Sequence, residues 1–142
     1  MLQGALAVQS GQKLETIVKN SLLKYFSESQ ITSQYKFINV YNKNAKIDFC
    51  IKNHNIVIEC KRQNVAGTAD EKIPFVLANL VKIKANLSIL VLDGSWYKEQ
   101  VGIVNWAKEE ALKLLPLQVK ILFPEELDKV LNEFCQAERV TK

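Results

Sequence analysis

Two predicted strands joined by a short turn carry the residues of this chain best suited to chemistry. Residues 45–51 and 56–61 each alternate apolar and polar side chains, as half-buried strands do. The polar segment 52–55 between them predicts a turn. A two-residue loop and a four-residue loop within this turn both place Ile51 opposite Ile56. Either loop therefore predicts an antiparallel hairpin with one register.

That register places Asp48 directly opposite Glu59. Directly opposed side chains share a face with their Cβ atoms about 4.5–5.5 Å apart, and like charges there repel unless something neutralises them. A divalent cation would do so, and carboxylate oxygens with room for water suit Mg²⁺. The period of two adds Lys61 and Gln63 to this chemical face. The opposite face of the hairpin is expected to be a core face, made by Ile47, Phe49, Ile51, Ile56, Ile58 and Cys60.

An Asp on one strand and Glu-x-Lys on the next, after an N-terminal helix that carries a Glu, resembles the PD-(D/E)XK phosphodiesterases, the restriction-endonuclease-like superfamily. The resemblance covers residues 11–92. It implies that Asp48, Glu59 and the backbone carbonyl of Cys60 ligate Mg²⁺, with Mn²⁺ as a substitute. It also implies that Lys61 orients the attacking water or stabilises developing charge.

Three further positions qualify this resemblance. Gln63 matches the Glu-x-Lys-x-Gln extension of some branches, and Glu15 is a candidate for the helix carboxylate that completes the site. Ile47 stands where the name-giving Pro would be. Glu15 also borders an apolar helical stripe, so a solvated helix carboxylate is the alternative for it. For the motif as a whole, the alternative is an exposed, salt-bridged sheet edge.

Composition describes one globular domain over residues 1–142, with 48% hydrophobic and 24% charged residues and no linker-like stretch. The N-terminus makes a poor signal peptide and no segment is long enough to span a membrane, so a cytoplasmic protein is expected. The three cysteines are interpreted as reduced thiols, because the hairpin register turns Cys50 and Cys60 to opposite faces. There is no Gly-rich phosphate loop, and hence no expected nucleotide cofactor.

The net charge of +4 is concentrated around the proposed site. Residues 43–84 hold eight basic and four acidic side chains, and the rest of the chain is balanced at eleven of each. A polyanion such as DNA is therefore the natural partner, and its binding should weaken with salt. Ordinary solvated surface is the alternative explanation of this excess.

The remaining periodicity predicts an α/β fold with the element order α-β-β-β-α-β-α-β-α. A mixed sheet flanked by helices on both faces fits this alternation, and αβββαβ is the core of the resembled superfamily. Besides the hairpin, the predicted elements are a helix from Ser10 to Ser27, a strand at 35–41, a helix beginning near Asp70 or at Pro74, a strand at 87–92, a helix at 96–115, a strand at 119–123 and a helix at 124–137.

Other chemistry is disfavoured. The single histidine, His54, falls in the predicted turn, where turn chemistry explains it better than catalysis does. A zinc site built from the cysteines and this histidine fails on spacing. The aromatic residues Trp96, Tyr97 and Trp106 are interpreted as core.

The resemblance thus implies a Mg²⁺-dependent endodeoxyribonuclease that cuts duplex DNA as a homodimer. Site-specific cutting of the restriction or homing type is the first expectation. Resolution of branched DNA or repair nicking is the alternative within the same chemistry. A catalytically idle DNA-binding module of the same fold is the alternative from another class.

Overall fold

The computed structural model describes residues 13–64 and 69–141, with the backbone alone for 69–71 and 141. The elements are α1 (13–22), β1 (Ile31–Ile38), β2 (Asn44–Ile51), β3 (Ile56–Arg62), α2 (Ala69–Ile83), β4 (Leu87–Asp93), α3 (Ser95–Glu99), α4 (Val101–Lys113), β5 (Val119–Leu122) and α5 (Leu127–Thr141). This is the predicted order, with one predicted helix divided in two. The predicted start of α1 at Ser10 lies outside the described residues.

The strands form one five-stranded sheet in the order β1-β2-β3-β4-β5. β1, β2 and β3 pair antiparallel, whereas β3, β4 and β5 pair parallel through helical crossovers. The predicted mixed sheet flanked by helices is confirmed and is consistent with a restriction-endonuclease-like fold. In the part of the chain that the structure describes, no helix has the length and apolar character to cross a bilayer.

Both faces of the sheet are covered by packed side chains, which we call the α1-side core and the α2-side core after the helix that lies on each. The apolar side chains of β4 pack in both cores, as expected of a parallel strand with covered faces. The α1-side core includes Leu14, Val18, Leu22, Phe49, Ile58, Ile89, Val91, Leu127 and Leu131. The α2-side core includes Cys50, Val57, Ile73, Leu77, Leu80, Leu90, Leu92 and Val104.

The predicted division of the hairpin into a chemical face and a core face is therefore wrong for the residues nearest the turn. Val57 and Cys50 lie on the face expected to carry chemistry, and they are 1% and 4% exposed. The reason is that β3 is a central strand with helices on both sides, so only its last residues, from Glu59 onward, are free to carry polar groups. The predicted opposite orientation of Cys50 and Cys60 is confirmed, because they pack on different sides.

Near the middle of the β1–β2 hairpin, the side chains switch from packing in one core to packing in the other. Ile47 packs in the α2-side core, yet Phe49, two residues along, packs in the α1-side core. Residues two apart share a face in a regular strand, so β2 twists sharply at Asp48 between them. Opposite Asp48 in the register, Gln34 has a left-handed φ of 52°. The prediction that Ile47 and Phe49 share a face is wrong for this reason.

Beyond the twist, residues 35–47 form a hairpin arm that packs against α2. The amide of Val40 donates to Asn79 Oδ1 at 3.0 Å, and Lys82 Nζ donates to the carbonyl of Asn39 at 2.8 Å. The rings of Tyr41 and Phe75 stack with centroids 5.0 Å apart. These contacts come from a helix about forty residues away in sequence, and they explain why the arm bends toward that side.

Several predicted boundaries shift. β1 begins at Ile31, earlier than predicted, because it pairs with Ile51 at the far end of β2. Pro74 lies inside α2, so a helix beginning there is wrong. The predicted helix at 96–115 breaks at Gln100, whose ψ of 63° is not helical. The backbone amide of Trp96 donates to the carbonyl of Gln63 at 3.1 Å, so α3 is bonded to the end of β3. By contrast, α4 packs in the α2-side core.

Candidate active site

The candidate site lies where β2 and β3 separate. Their observed pairs run from Ile51↔Ile56 to Phe49↔Ile58, which is the predicted register. The turn between them is a single 3₁₀ turn followed by Asn55 in the left-handed region, so the four-residue loop is the one formed. The next pair in this register would be Asp48 and Glu59, but the backbone ladder has already ended. From Glu59 to Arg62, β3 continues its pairing with β4 alone.

The carboxylate of Asp48 fills the gap between the separating strands. Its Oδ2 accepts a hydrogen bond from the backbone amide of Cys60 at 2.7 Å, where a regular ladder would place a carbonyl oxygen. Its Oδ1 accepts a longer hydrogen bond, 3.3 Å, from Gln34 Nε2. Because N–H and C=O of one strand residue point to the same side, the carbonyl of Cys60 also faces this gap. The twist in β2 therefore places a carboxylate beside two backbone groups of β3.

Two further carboxyl groups gather at Asp48. Burial, together with a hydrogen bond to Asp48 and the negative charge of that residue, raises the pKa of Glu59 to about 9, and the ammonium of Lys61 acts in the opposite direction. Burial and the same two effects of Asp48 raise the pKa of Glu15. Both glutamates thus lie within hydrogen-bonding reach of one aspartate. In the absence of a cation, such a cluster reduces its charge repulsion by retaining protons.

A surface cleft on the α1 side is lined by one member of this cluster, Glu15. It has a volume of about 390 Å³ and is lined by Glu15, Thr16, Lys19, Ser33, Gln34 and Phe49. Its floor is the twisted segment of the hairpin and its wall is α1.

Comparison with known families agrees with this geometry. Residues 6–134 match the family model of the PD-(D/E)XK nuclease superfamily domain. The chain belongs to the PD-(D/E)XK nuclease superfamily. Comparison with curated proteins and with solved structures gave no match. Membership makes this a nuclease domain, implies a nucleic-acid substrate, and places the chain among enzymes that generally use divalent metal ions.

We call the point beyond Phe49 and Ile58, where β2 and β3 separate, the fork. The remaining positions of the PD-(D/E)XK motif lie at or near it. Lys61 is half-buried on β3, close enough to Glu59 for its charge to act on that carboxyl. Gln63 follows the end of β3, where its backbone amide donates to the backbone carbonyl of Asp93 at 3.0 Å. The thiol of Cys60 packs toward the α1-side core, and its pKa is raised by burial and by the neighbouring carboxylates. Only the backbone carbonyl of Cys60, and not its thiol, is therefore suited to bind a metal.

The oxygen donors at this site fit a divalent metal ion, the kind of cofactor that superfamily members generally use. Within residues 13–64 and 72–140, no three His, Cys, Asp or Glu side chains are already arranged around a shared metal position. Mg²⁺ does not need such a cage, because one or two carboxylates with waters and substrate phosphate usually hold it. Asp48, Glu59 and the carbonyl of Cys60 offer oxygen donors of that type.

Sequence reasoning missed two residues that shape this site. Gln34 contacts Asp48 directly, and its signal was only that it lies opposite Asp48 in a strand register that was not predicted. Gly94 has a φ of 103°, and a Cβ there would collide with the carbonyl of Gln63. Its position after an apolar strand and an aspartate was the available signal. Gly94 lets β4 and the end of β3 approach closely beside the motif.

Proposed function

We propose that this chain is a Mg²⁺-dependent endodeoxyribonuclease that hydrolyses phosphodiester bonds at the fork between β2 and β3. The observation that carries the proposal is the position of Asp48. Its carboxylate is fixed by the amide of Cys60, and the carboxyl groups of Glu59 and Glu15 are within its reach.

In this proposal each residue has a separate task. Asp48, Glu59 and the carbonyl of Cys60 would hold the ion, which when bound would lower the pKa of water and neutralise charge on the phosphate. Lys61 supplies positive charge beside Glu59, where it can orient the attacking water. The ammonium group cannot serve as a ligand, because Lys⁺ has no lone pair to donate.

Glu15 and Gln63 support the geometry. Glu15 extends the carboxyl cluster toward the cleft, and Gln63 lies next to the point where α3 is tied to β3. Because the pKa of Glu59 is about 9, that carboxyl keeps its proton at neutral pH when no cation is bound. Cation binding is therefore expected to release a proton and to strengthen as pH rises.

We propose duplex DNA as the substrate and a homodimer as the active form. The basic excess in residues 43–84, around the site, supports a polyanionic substrate. A chain with a single site and a two-stranded substrate most simply cuts both strands as a symmetric pair. Sedimentation of the protein with and without DNA tests the second statement.

Plasmid cleavage tests the catalytic proposal. Supercoiled plasmid should be nicked or linearised in Mg²⁺ and left intact with chelator. Lys61→Ala should abolish cleavage without unfolding the protein, whereas Lys120→Ala, an exposed strand lysine at the far sheet edge, should leave cleavage unchanged. Equal cleavage by Lys61→Ala and the unaltered protein would show that the site is misassigned.

The form of the products distinguishes the kinds of cutting. Linear fragments of defined length support site-specific cutting of the restriction or homing type, which we propose first. Cleavage confined to four-way junctions would indicate branched-DNA resolution instead. Metal-independent binding without any cleavage would indicate a DNA-binding module that has lost its chemistry.

A further inference from the structure

Two lysines stand directly opposite each other on the hairpin arm. Lys36 of β1 pairs with Lys46 of β2 in the observed register, and both side chains are exposed. Directly opposed residues of antiparallel strands bring their Cβ atoms within about 5.5 Å, and like charges at that distance destabilise the sheet. The arm therefore carries an unfavourable charge pair that an anion between the two ammonium groups would relieve.

No acid compensates this pair in the part of the chain whose side chains the structure describes. Among those residues, no carboxylate forms an ion pair with Lys36 or Lys46. Some other lysines do form ion pairs, since Lys19 pairs with Glu28 at 2.7 Å and Lys24 pairs with Asp128 at 2.8 Å.

The pair projects from the face of the sheet that α1 covers, where Glu15 lines a surface cleft. Tyr35 and Ile47, the neighbours of the two lysines along their strands, pack toward the α2-side core. Adjacent side chains of a strand point to opposite faces, so Lys36 and Lys46 project toward the α1 side. The cleft lined by Glu15 and by other residues of α1 and the hairpin opens on that same side.

The distance from the pair to the candidate site matches the spacing of nucleic acid. Lys46 precedes Asp48 by two residues, and Lys36 follows Gln34 by two. Two strand residues span about 7 Å, at about 3.4 Å each. Since one strand of B-DNA also rises about 3.4 Å per nucleotide, this corresponds to one or two nucleotides along the backbone.

We propose that Lys36 and Lys46 form a clamp for a backbone phosphate one or two nucleotides from the bond that is cut. This inference rests on the proposed function and adds to it a specific contact surface. The arm is well suited to hold the clamp in place, because Asn79 and Lys82 of α2 bind its loop. Clamping a neighbouring phosphate would fix the register of the backbone over Asp48.

Another role for these lysines is protection of the sheet edge. β1 is an edge strand, and lysines on edge strands discourage unwanted pairing with other chains. Edge protection requires charge on β1 only, whereas a phosphate clamp requires both members of the cross-strand pair. The two roles also differ in the salt dependence of DNA binding.

The test compares two double variants of equal charge change. Lys36→Gln with Lys46→Gln removes the clamp, and Lys108→Gln with Lys120→Gln removes two exposed lysines from α4 and the opposite edge. Binding of a short labelled DNA duplex in Mg²⁺ is followed by fluorescence anisotropy over a range of salt, using the Lys61→Ala background to prevent cleavage. The same pairs of substitutions in the unaltered background are assayed for plasmid cleavage.

Loss of the contact with this one phosphate should lower the slope of log affinity against log salt by about 1. Between about 50 and 200 mM salt, the affinity of the clamp variant should then fall about 3- to 4-fold less than that of the parent protein. The control variant should retain the parent slope. Each single substitution at Lys36 or Lys46 should lower the slope by part of this amount, and Lys36→Arg with Lys46→Arg should retain it.

Folding does not confuse this result, because removing a like-charge pair should leave the melting temperature unchanged or higher. A clamp variant with the same salt slope and affinity as the control variant would overturn the proposal and leave edge protection. Failure of the proposed function would look different, since the unaltered protein would then leave plasmid intact in Mg²⁺ whatever the slopes show.

Discussion

Replacing Glu59 by Gln is predicted to stabilise the metal-free protein at neutral pH while it abolishes cleavage. In the folded protein, burial and the charge of Asp48 raise the pKa of Glu59 from 4.5 to about 9. In the unfolded chain this carboxyl has its ordinary pKa. The substituted amide would keep a neutral group of the same shape at this position, but it would not supply the ionised carboxylate that a cation needs.

The size and sign of the effect follow from linkage. Below pH 4.5 the carboxyl is protonated in both states and costs no stability. As pH rises from there to about 9, the unfolded chain loses the proton and the folded protein keeps it. Each pH unit in this window lowers the free energy of unfolding by about 1.4 kcal/mol. At neutral pH the loss is on the order of 3 kcal/mol, and Glu59→Gln should recover much of it.

Urea denaturation in chelator measures this effect. A difference of about 3 kcal/mol corresponds to a shift of the midpoint by about 1–2 M urea for a protein of this size. The variant should have the higher midpoint at neutral pH, and the two midpoints should converge near pH 4.5. Adding Mg²⁺ should raise the midpoint of the unaltered protein and leave that of Glu59→Gln nearly unchanged.

One result would refute the reasoning. If Glu59→Gln lowers the midpoint by the same amount at acidic and neutral pH, Glu59 is ionised in the folded protein and is not crowded by Asp48. The carboxyl cluster at the fork would then be incorrectly described, and its use as a cation site would lose its electrostatic basis.

The remaining predictions concern the frame around the site. Gly94→Ala should lower the free energy of unfolding by about 2 kcal/mol or more, because φ is 103° and the added Cβ meets the backbone of β3; urea denaturation measures this. The matched change Gly102→Ala lies in α4 with open space around it and should instead raise stability by about 0.5–1 kcal/mol. His54→Ala should leave the rate of plasmid cleavage unchanged and cost about 1 kcal/mol, since His54 Nδ1 contacts Glu138 at 2.7 Å far from the fork. Loss of cleavage in a folded His54→Ala protein would contradict the assignment of catalysis to the carboxyl cluster.

Domain organisation and cellular location stay predictions. That residues 1–142 form a single domain follows from composition alone. A cytoplasmic location is a prediction from the three cysteines, which are interpreted as reduced thiols.

The sequence by itself determined the hairpin register and the order of elements. The alternation of side chains in β2 and β3 and the short turn between them predict a single register, with Ile51 opposite Ile56. A slip of one residue would turn every side chain of a strand to the other face. That register predicts Asp48 opposite Glu59, although the observed backbone ladder ends one pair earlier. Local periodicity suffices for such a statement, since the two strands are separated by only a short turn.

Only the tertiary structure decided what covers each face of the hairpin and how the carboxyl groups meet. Alternation shows which residues share a face, but helices remote in sequence determine whether that face is packed, and here α1 and α2 cover both. The contacts of the arm with α2 bend the hairpin at Gln34 and Asp48. That bend ends the ladder, turns the Asp48 carboxylate toward the amide of Cys60, and brings Glu15 within reach. Such placements depend on long-range packing, which the residues of a single strand do not encode.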